Sequence, residues 1–225
     1  MIQSTGMDKY RRIYDALVEA YGEPTWRESL SPVDELVSTI LSQNTNDANR
    51  DVAFRRLRDR FDSWDEVRDA ATAEVVDAIR PAGLANQKAP RIQQALKDIT
   101  EKAGTITLDF LRDMSVEEAK SWLTGLCGVG PKTTAIVLLF GMGRPAFPVD
   151  THVHRVASRL GLIPAEMSAE KAHDRLEDIV PPGEYYAFHL NLIRHGRQIC
   201  VARNPHCQEC FLQEWCDYYH NVRAS

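Results

Sequence analysis

Leu126-Cys127-Gly128-Val129-Gly130-Pro131-Lys132-Thr133 joins two stretches of helical character. Upstream, Ser115 with Glu118 three residues later is a capping box, opening a short helix through Trp122 and Leu123 that breaks at Gly125. Downstream, Pro131 suits a first helical position, where no N–H is needed, and Ile136, Val137, Leu138 and Leu139 carry that helix on to about Met142. A Gly-x-Gly turn that opens a helix leaves backbone N–H groups without intrahelical partners, which suits a phosphate oxygen. Glycine keeps side chains from holding such an anion away. Two helices joined by a glycine turn also occur in proteins that bind nothing, so this element alone fixes no function.

Outward from this hairpin the apolar spacing is helical nearly everywhere. Tyr10, Ile13, Tyr14, Leu17, Val18 and Tyr21 recur at three and four, until Gly22 and Pro24 end the pattern. Ser31, Pro32 and Asp34 read as an N-cap, a first-turn proline and an acid at the positive helix end, ahead of Leu36, Val37, Ile40 and Leu41. The polar run Gln43 to Asn46 predicts a loop before a helix through Val52, Phe54, Leu57 and Phe61. Further helices are expected from about Trp64, over Thr72 to Ile79, and from Lys88 through Ile92, Leu96 and Ile99, with Pro81 and Gly83 between the last two. No alternating run backed by hairpin turns appears, so the fold should be almost wholly helical.

The 225 residues, 44% hydrophobic and 26% charged, match soluble globular usage and exclude disordered and collagen-like classes. The longest apolar run, Ala135 to Phe140, is far short of the roughly 20 residues a bilayer span needs. Met1 to Tyr10 is polar where a signal peptide would be apolar, so a cytoplasmic location is expected, nucleoid-associated in a prokaryote. The formal charge of −5 argues against indiscriminate coating of nucleic acid, but the acids are clustered. They crowd Asp59 to Asp77 and Glu166 to Glu184, whereas Ala119 to Val149 holds only Lys120, Lys132 and Arg144, and Tyr185 to Gln208 only Arg194, Arg197 and Arg203. The two acid-free stretches are candidate phosphate-facing surfaces.

The octapeptide from Leu126 to Thr133 resembles the helix-hairpin-helix of base-excision DNA glycosylases, the endonuclease III family; Cys127 stands where that hairpin usually carries proline. Lys132 lies in the first turn of its helix, whose positive end opposes an ammonium, and a neutral amine is a nucleophile. Asp150 looks like the N-cap of the next helix, where backbone donors stabilise a carboxylate. The helix from Pro131 to Met142 is roughly 18 Å long, and the link from Gly143 to Val149 can extend roughly 23 Å, so a return of Asp150 toward Lys132 is permitted. In the family, the lysine of Gly-Val-Gly-x-Lys and the aspartate of Val-Asp-Thr-His are the catalytic pair, which match Lys132 and Asp150. The resemblance implies attack by the Lys132 amine on C1′ of a damaged nucleotide, a Schiff base, and strand cleavage by β-elimination, with Asp150 assisting proton transfer. It also implies DNA contacts from Gly128, Val129, Gly130, Thr133 and His152.

Four of five cysteines fall between Cys200 and Cys216, as Cys200, Cys207, Cys210 and Cys216 in a C-x6-C-x2-C-x5-C spacing. In a reducing compartment this reads as a metal site rather than disulfides, and four thiolates suit zinc as well as iron. The spacing matches the iron-sulfur loop of endonuclease III at every interval, so the resemblance implies a [4Fe–4S] cluster. Arg203 resembles a phosphate-contacting arginine, while Asn204 and His206 stand where other members often place basic residues. A glycosylase must extrude its target nucleotide and part the bases. Ser42 to Asp47 resembles the loop supplying an amide plug, with Asn44 at the plug position and Gln43 as the competing register; Gly83-Leu84 resembles the loop inserting a leucine wedge, followed by Ala85 in place of a bulkier residue.

The implied fold is all-α with two domains. Residues 1–30 form a first helix packed with the C-terminal domain, 31–143 a helical barrel containing the helix-hairpin-helix at about 115–142, and 144–225 a cluster domain with its loop at 200–216. DNA is expected in the cleft between them. The implied activity is a bifunctional glycosylase and abasic-site lyase acting as a monomer on oxidised pyrimidines or abasic sites in double-stranded DNA, with no membrane partner. Two other readings stay open: a monofunctional mismatch glycosylase of adenine or thymine type, against which Lys132 speaks, and a non-catalytic iron-sulfur DNA-binding protein.

Overall fold

A computed structural model describes residues 2–223. Among these residues the chain forms twelve α-helices and no strand. In chain order they are α1 (Ile2–Tyr21), α2 (Pro32–Ser42), α3 (Asp47–Arg60), α4 (Trp64–Asp69), α5 (Thr72–Ile79), α6 (Ala85–Ala103), α7 (Val116–Thr124), α8 (Pro131–Met142), α9 (Thr151–Arg159), α10 (Ala169–Ile179), α11 (Tyr185–Gln198) and α12 (Asp217–Arg223). No described helix is long and apolar enough to cross a membrane. The chain divides into two compact units, one of residues 28–144 and one of 1–27 with 145–225.

In the 28–144 unit α2 and α8 lie along one another, α2 also meeting α3 and α6, and α8 meeting α7. The apolar run of α8 has neighbours on most sides, with Ala135, Val137, Leu138, Leu139 and Met142 buried. The approach to α2 is close: a Cβ on Gly141 would sit 3.1 Å from the Pro32 Cα, so a small residue is needed there. The carbonyls at the α8 C-terminus lack helical partners, and Arg112 supplies them, donating to Gly141 O at 3.2 Å and Met142 O at 3.3 Å. Arg144 donates back to Leu111 O and, at 2.6 Å, to Met114 O, which anchors the chain leaving α8.

The spacing predicts a helix from Lys88, but α6 begins at Ala85, because Leu84 in the left-handed region (φ +49) closes the preceding turn and opens the helix at once. Pro90 is accommodated in its second turn.

In the unit of 1–27 and 145–225, α1 packs on α11 through aromatic rings, Tyr10 meeting Phe188 edge-on at 5.1 Å. The segment leading to α9 is fixed by buried polar groups. Phe147 N donates to Glu177 Oε1 at 2.9 Å, and Nδ1 of His173 and of His189 lie 2.8 and 2.9 Å from the carbonyls of Phe147 and Pro148. Beyond α9 the chain turns at Gly161 (φ +73), where a Cβ would stand 1.8 Å from Asp217 Oδ2. Gly161→Ala therefore combines left-handed strain with expulsion of the Asp217 carboxylate from its 2.6 Å bridge to Lys9. We expect a loss of about 1–3 kcal/mol in denaturant unfolding; an unchanged midpoint would contradict this account of the turn.

Candidate functional site

The hairpin of the 28–144 unit forms as its residues require. Ser115 and Glu118 make the capping box that starts α7, and Pro131 occupies the first turn of α8. Leu126 and Val129 bury their side chains, which turns the intervening backbone outward. Gly128 adopts φ +77, open to glycine at no steric cost, and the Arg91 side chain lies beneath it, 3.8 Å from the position of an added Cβ. Gly130 caps α8 without any side-chain bond, and a Cβ there would meet nothing within 4 Å, so the space before the helix is open. Thr133 is buried in the first turn of α8, so what it can offer an anion is its backbone N–H, whereas the Val129 N–H that the sequence suggests for this role already donates to Leu126 O at 3.2 Å. Cys127 is exposed and its N–H donates to Asp98 Oδ2 at 2.8 Å, a bond that proline could not make.

Lys132 is half-buried in the first turn of α8 and has no hydrogen-bond or ion-pair partner among the described residues. Asp150 lies in the other unit and caps α9, its Oδ1 accepting from Val153 N at 2.7 Å. His152 Nδ1 lies 3.1 Å from Arg155 Nη2, and Arg155 also donates to Gly196 O at 2.9 Å and Cys200 O at 3.0 Å. One guanidinium thus joins the helix that Asp150 caps to α11 and to the first cysteine of the loop.

Two loops of the 28–144 unit hold the non-glycine residues there with positive φ, Asn44 at +53 and Leu84 at +49. Leu84 is also 48% exposed, an apolar side chain left in solvent on a disfavoured backbone. Asn44 is exposed, whereas Gln43 is half-buried and its Oε1 accepts from Arg91 Nη1 at 3.3 Å. Asn46 serves as the cap of α3, accepting from Asn49 N at 2.9 Å.

Cys200, Cys207, Cys210 and Cys216 line one cavity, closed by residues that include His195 and Arg159. Four thiols around one cavity are a donor set that a [4Fe–4S] cluster uses, one thiolate at each iron. Burial, and then the neighbouring thiols, push Cys210 up to about 11, and Cys216 is raised for the same reasons. Without cationic iron these groups stay thiols; the donor set therefore fits a group that brings its own positive charge. The surrounding donors fit thiolate sulfur as well. Arg159 Nη1 lies 3.3 Å from Cys200 Sγ while also holding Val201 O at 2.8 Å, and its guanidinium stacks on Tyr218. His195, which burial pushes down to about 4, is a neutral imidazole with Nε2 3.6 Å from Cys210 Sγ and Nδ1 3.2 Å from the Tyr21 hydroxyl. Arg203 and His206 are exposed in this loop, and Asn204 is left-handed at φ +51.

Sequence reasoning did not single out Arg91, Arg155, Arg159 or His195, whose partners are distant in the chain. Lys88 shares its helical face with Ile92, Leu96 and Ile99, a spacing that marks it as core-facing, and it is buried.

Residues 37–182 match the HhH-GPD superfamily base excision DNA repair protein model, and residues 200–216 match the iron-sulfur binding domain of endonuclease III. Endonuclease III of Thermotoga maritima is 35% identical over 196 residues, 87% of each chain. A non-covalent endonuclease III–DNA complex superposes with a TM-score of 0.84 at 27% identity, covering 97% of this chain and 99% of that one. A trapped endonuclease III–DNA covalent intermediate does so at 0.81 and 27%, covering 96% and 98%. Matches that span both the hairpin and the cysteine loop, at this identity, place the chain in the HhH-GPD superfamily of base excision DNA repair proteins and, within it, in the endonuclease III family of DNA glycosylase/AP lyases that carry a [4Fe–4S] cluster.

Proposed function

We propose that this protein excises oxidised pyrimidines from duplex DNA and cleaves the strand at the resulting abasic site, with Lys132 as nucleophile and Asp150 as the proton-handling carboxylate. The observation that carries the reading is the Lys132 amine, unpaired in the first turn of the helix that follows an open hairpin. Its neighbours support it: the N–H groups of Gly128, Gly130 and Thr133 are those left to face a phosphate, and His152 and Arg203 contact the strand.

The chemistry balances as follows. Lys132 Nζ bonds to C1′ as the bond from C1′ to the base nitrogen breaks, the base leaving with the electron pair and taking up a proton. Asp150 accepts the proton lost by Nζ and returns one to O4′ as the C1′–O4′ bond opens, giving the iminium. Loss of the C2′ proton then expels the 3′ phosphate, and water releases Lys132. Cys200, Cys207, Cys210 and Cys216 hold the cluster, which when bound ties four points of the loop together, and no step of base removal is routed through it. Asn44, exposed where Gln43 is engaged by Arg91, fills the gap left by the extruded nucleotide, and Leu84 wedges the stack.

A panel of duplexes carrying thymine glycol, an abasic site, a G·T mismatch or an adenine mispair, incubated without alkali, tests this. We expect nicking at thymine glycol and at the abasic site; base loss without nicking would mark a monofunctional enzyme, and neither would mark a binder. Either of the last two results overturns the proposal.

A further inference from the structure

The 28–144 unit buries one ammonium, that of Lys88, which is 1% exposed. No carboxylate answers it. Its Nζ donates instead to Leu41 O at 2.7 Å and Ala82 O at 2.8 Å. Both carbonyls close a turn of helix, Leu41 in the last turn of α2 and Ala82 at the end of the short 3-10 turn Arg80–Ala82, where carbonyls lack helical partners and a cation is favoured. Each also stands a few residues ahead of a left-handed non-glycine residue. Asn44 follows Leu41 by three positions, and Leu84 follows Ala82 by two. A buried charge is costly to keep, and a pair of carbonyls could be satisfied more cheaply, so the position calls for an explanation beyond packing.

We propose that Lys88 is a positioning residue for base extrusion, its ammonium locking the Asn44 and Leu84 loops into one rigid jaw. The inference rests on the reading of Asn44 as plug and Leu84 as wedge. Prying a base stack apart loads the wedge in reverse, and a loop free to bend relieves that load by moving itself. With Lys88 bonded to the backbone at the root of both loops, the load on one is borne by the other and by α6. Arg91, one turn further along α6, extends the brace. It holds the Gln43 side chain at 3.3 Å and lies under Gly128 of the hairpin, so one helix connects wedge, plug loop and phosphate-binding turn within this unit. The two left-handed residues are held where an unbraced loop would relax to a commoner conformation.

The test compares Lys88→Met, which keeps length and apolar stem but removes both bonds, on two substrates. One is a lesion duplex with 2-aminopurine beside the damaged base, whose fluorescence reports unstacking; the other is a single-stranded abasic oligonucleotide, which has no stack to open. We expect the fluorescence rise and base release on the duplex to slow about tenfold or more, with borohydride trapping on the single strand within about threefold of wild type. Lys88→Arg, which keeps charge and donors, restores part of the duplex rate. Should the Met variant fail to fold, Lys88→Gln, which retains one donor group, makes the same comparison. Equal slowing on both substrates, or none on the duplex, overturns the proposal. Leu84→Ala and Asn44→Ala run alongside. If they leave duplex rates unchanged, the loop reading fails; if they slow them while Lys88→Met does not, the bracing role alone fails.

Discussion

Lys132→Ala should bind lesion-containing duplex with near wild-type affinity, yet form no borohydride-trapped adduct and nick abasic DNA at least about 10³-fold more slowly. The size follows from the chemistry: without an amine at this position there is no covalent intermediate, and β-elimination loses its electron sink. The structure keeps the loss specific. Lys132 is half-buried, engages no partner, and sits in the first turn of α8, where alanine is the best helix former, so stability should change by no more than about 0.5 kcal/mol. The groups of the hairpin proposed to face a phosphate are backbone N–H groups, which the substitution leaves in place. Lys132→Arg sharpens the comparison, since a guanidinium keeps the charge but stays protonated and cannot form the imine. Both variants should bind and neither should trap. Trapping at wild-type yield in either would move the nucleophile elsewhere.

The parts of the molecule legible in the sequence are those whose cause lies within a few residues. Ser31, Ser115 and Asp150 each cap a helix and accept from the N–H three residues on, because the caps and the helices they open are adjacent. Pro131 and Gly125 delimit the hairpin for the same reason. The cysteine spacing reads as a metal site because four ligands fall in one loop, and its likeness to the family's loop is what implies an iron-sulfur cluster. What stayed hidden depends on pairings across the chain. Arg159 meets Cys200 and His195 meets Tyr21 only once α1, α9 and α11 have packed, and nothing near those residues in sequence announces it. Lys88 is an intermediate case. Its helical spacing from Ile92 and Leu96 points inward, against the rule that lysine stays in water, and the two carbonyls that resolve the conflict come from separate loops. Leu84 shows a further limit: the sequence places a leucine after a glycine, but its positive φ and its exposure are properties of the folded loop.

Cys210→Ser should have the second large effect, and its mechanism is structural. Residues 199–216 contain only two short 3-10 turns, Cys207–Glu209 and Gln213–Trp215, too little regular structure to hold a loop of that length by itself. What fixes the loop besides the cluster is a set of arginine bonds to its first residues: Arg155 to Cys200 O at 3.0 Å, and Arg159 to Val201 O at 2.8 Å and Ala202 O at 3.1 Å. The far side has no arginine clamp and is held by smaller contacts: Gln213 Nε2 donates to Cys207 O at 2.6 Å, Leu212 is buried, Phe211 packs edge-on against Tyr21 and His195, Cys210 faces His195 and Cys216 lies against the Arg159 carbonyl. Removing one ligand should therefore release the cluster, because binding free energy and folding free energy are shared in such a site. His195, neutral because it is buried, then faces water, and the support that Arg155 gives to α9 and its cap Asp150 weakens. We expect wild type to contain iron and acid-labile sulfide, and the variant to lack both, melt about 5–10 °C lower or more, and bind duplex DNA at least about tenfold more weakly. The helix-hairpin-helix belongs to the other unit, so circular dichroism should show most helix retained rather than a fully unfolded chain. A colourless variant with wild-type melting and DNA affinity would show that the loop is held by its protein contacts without the cluster.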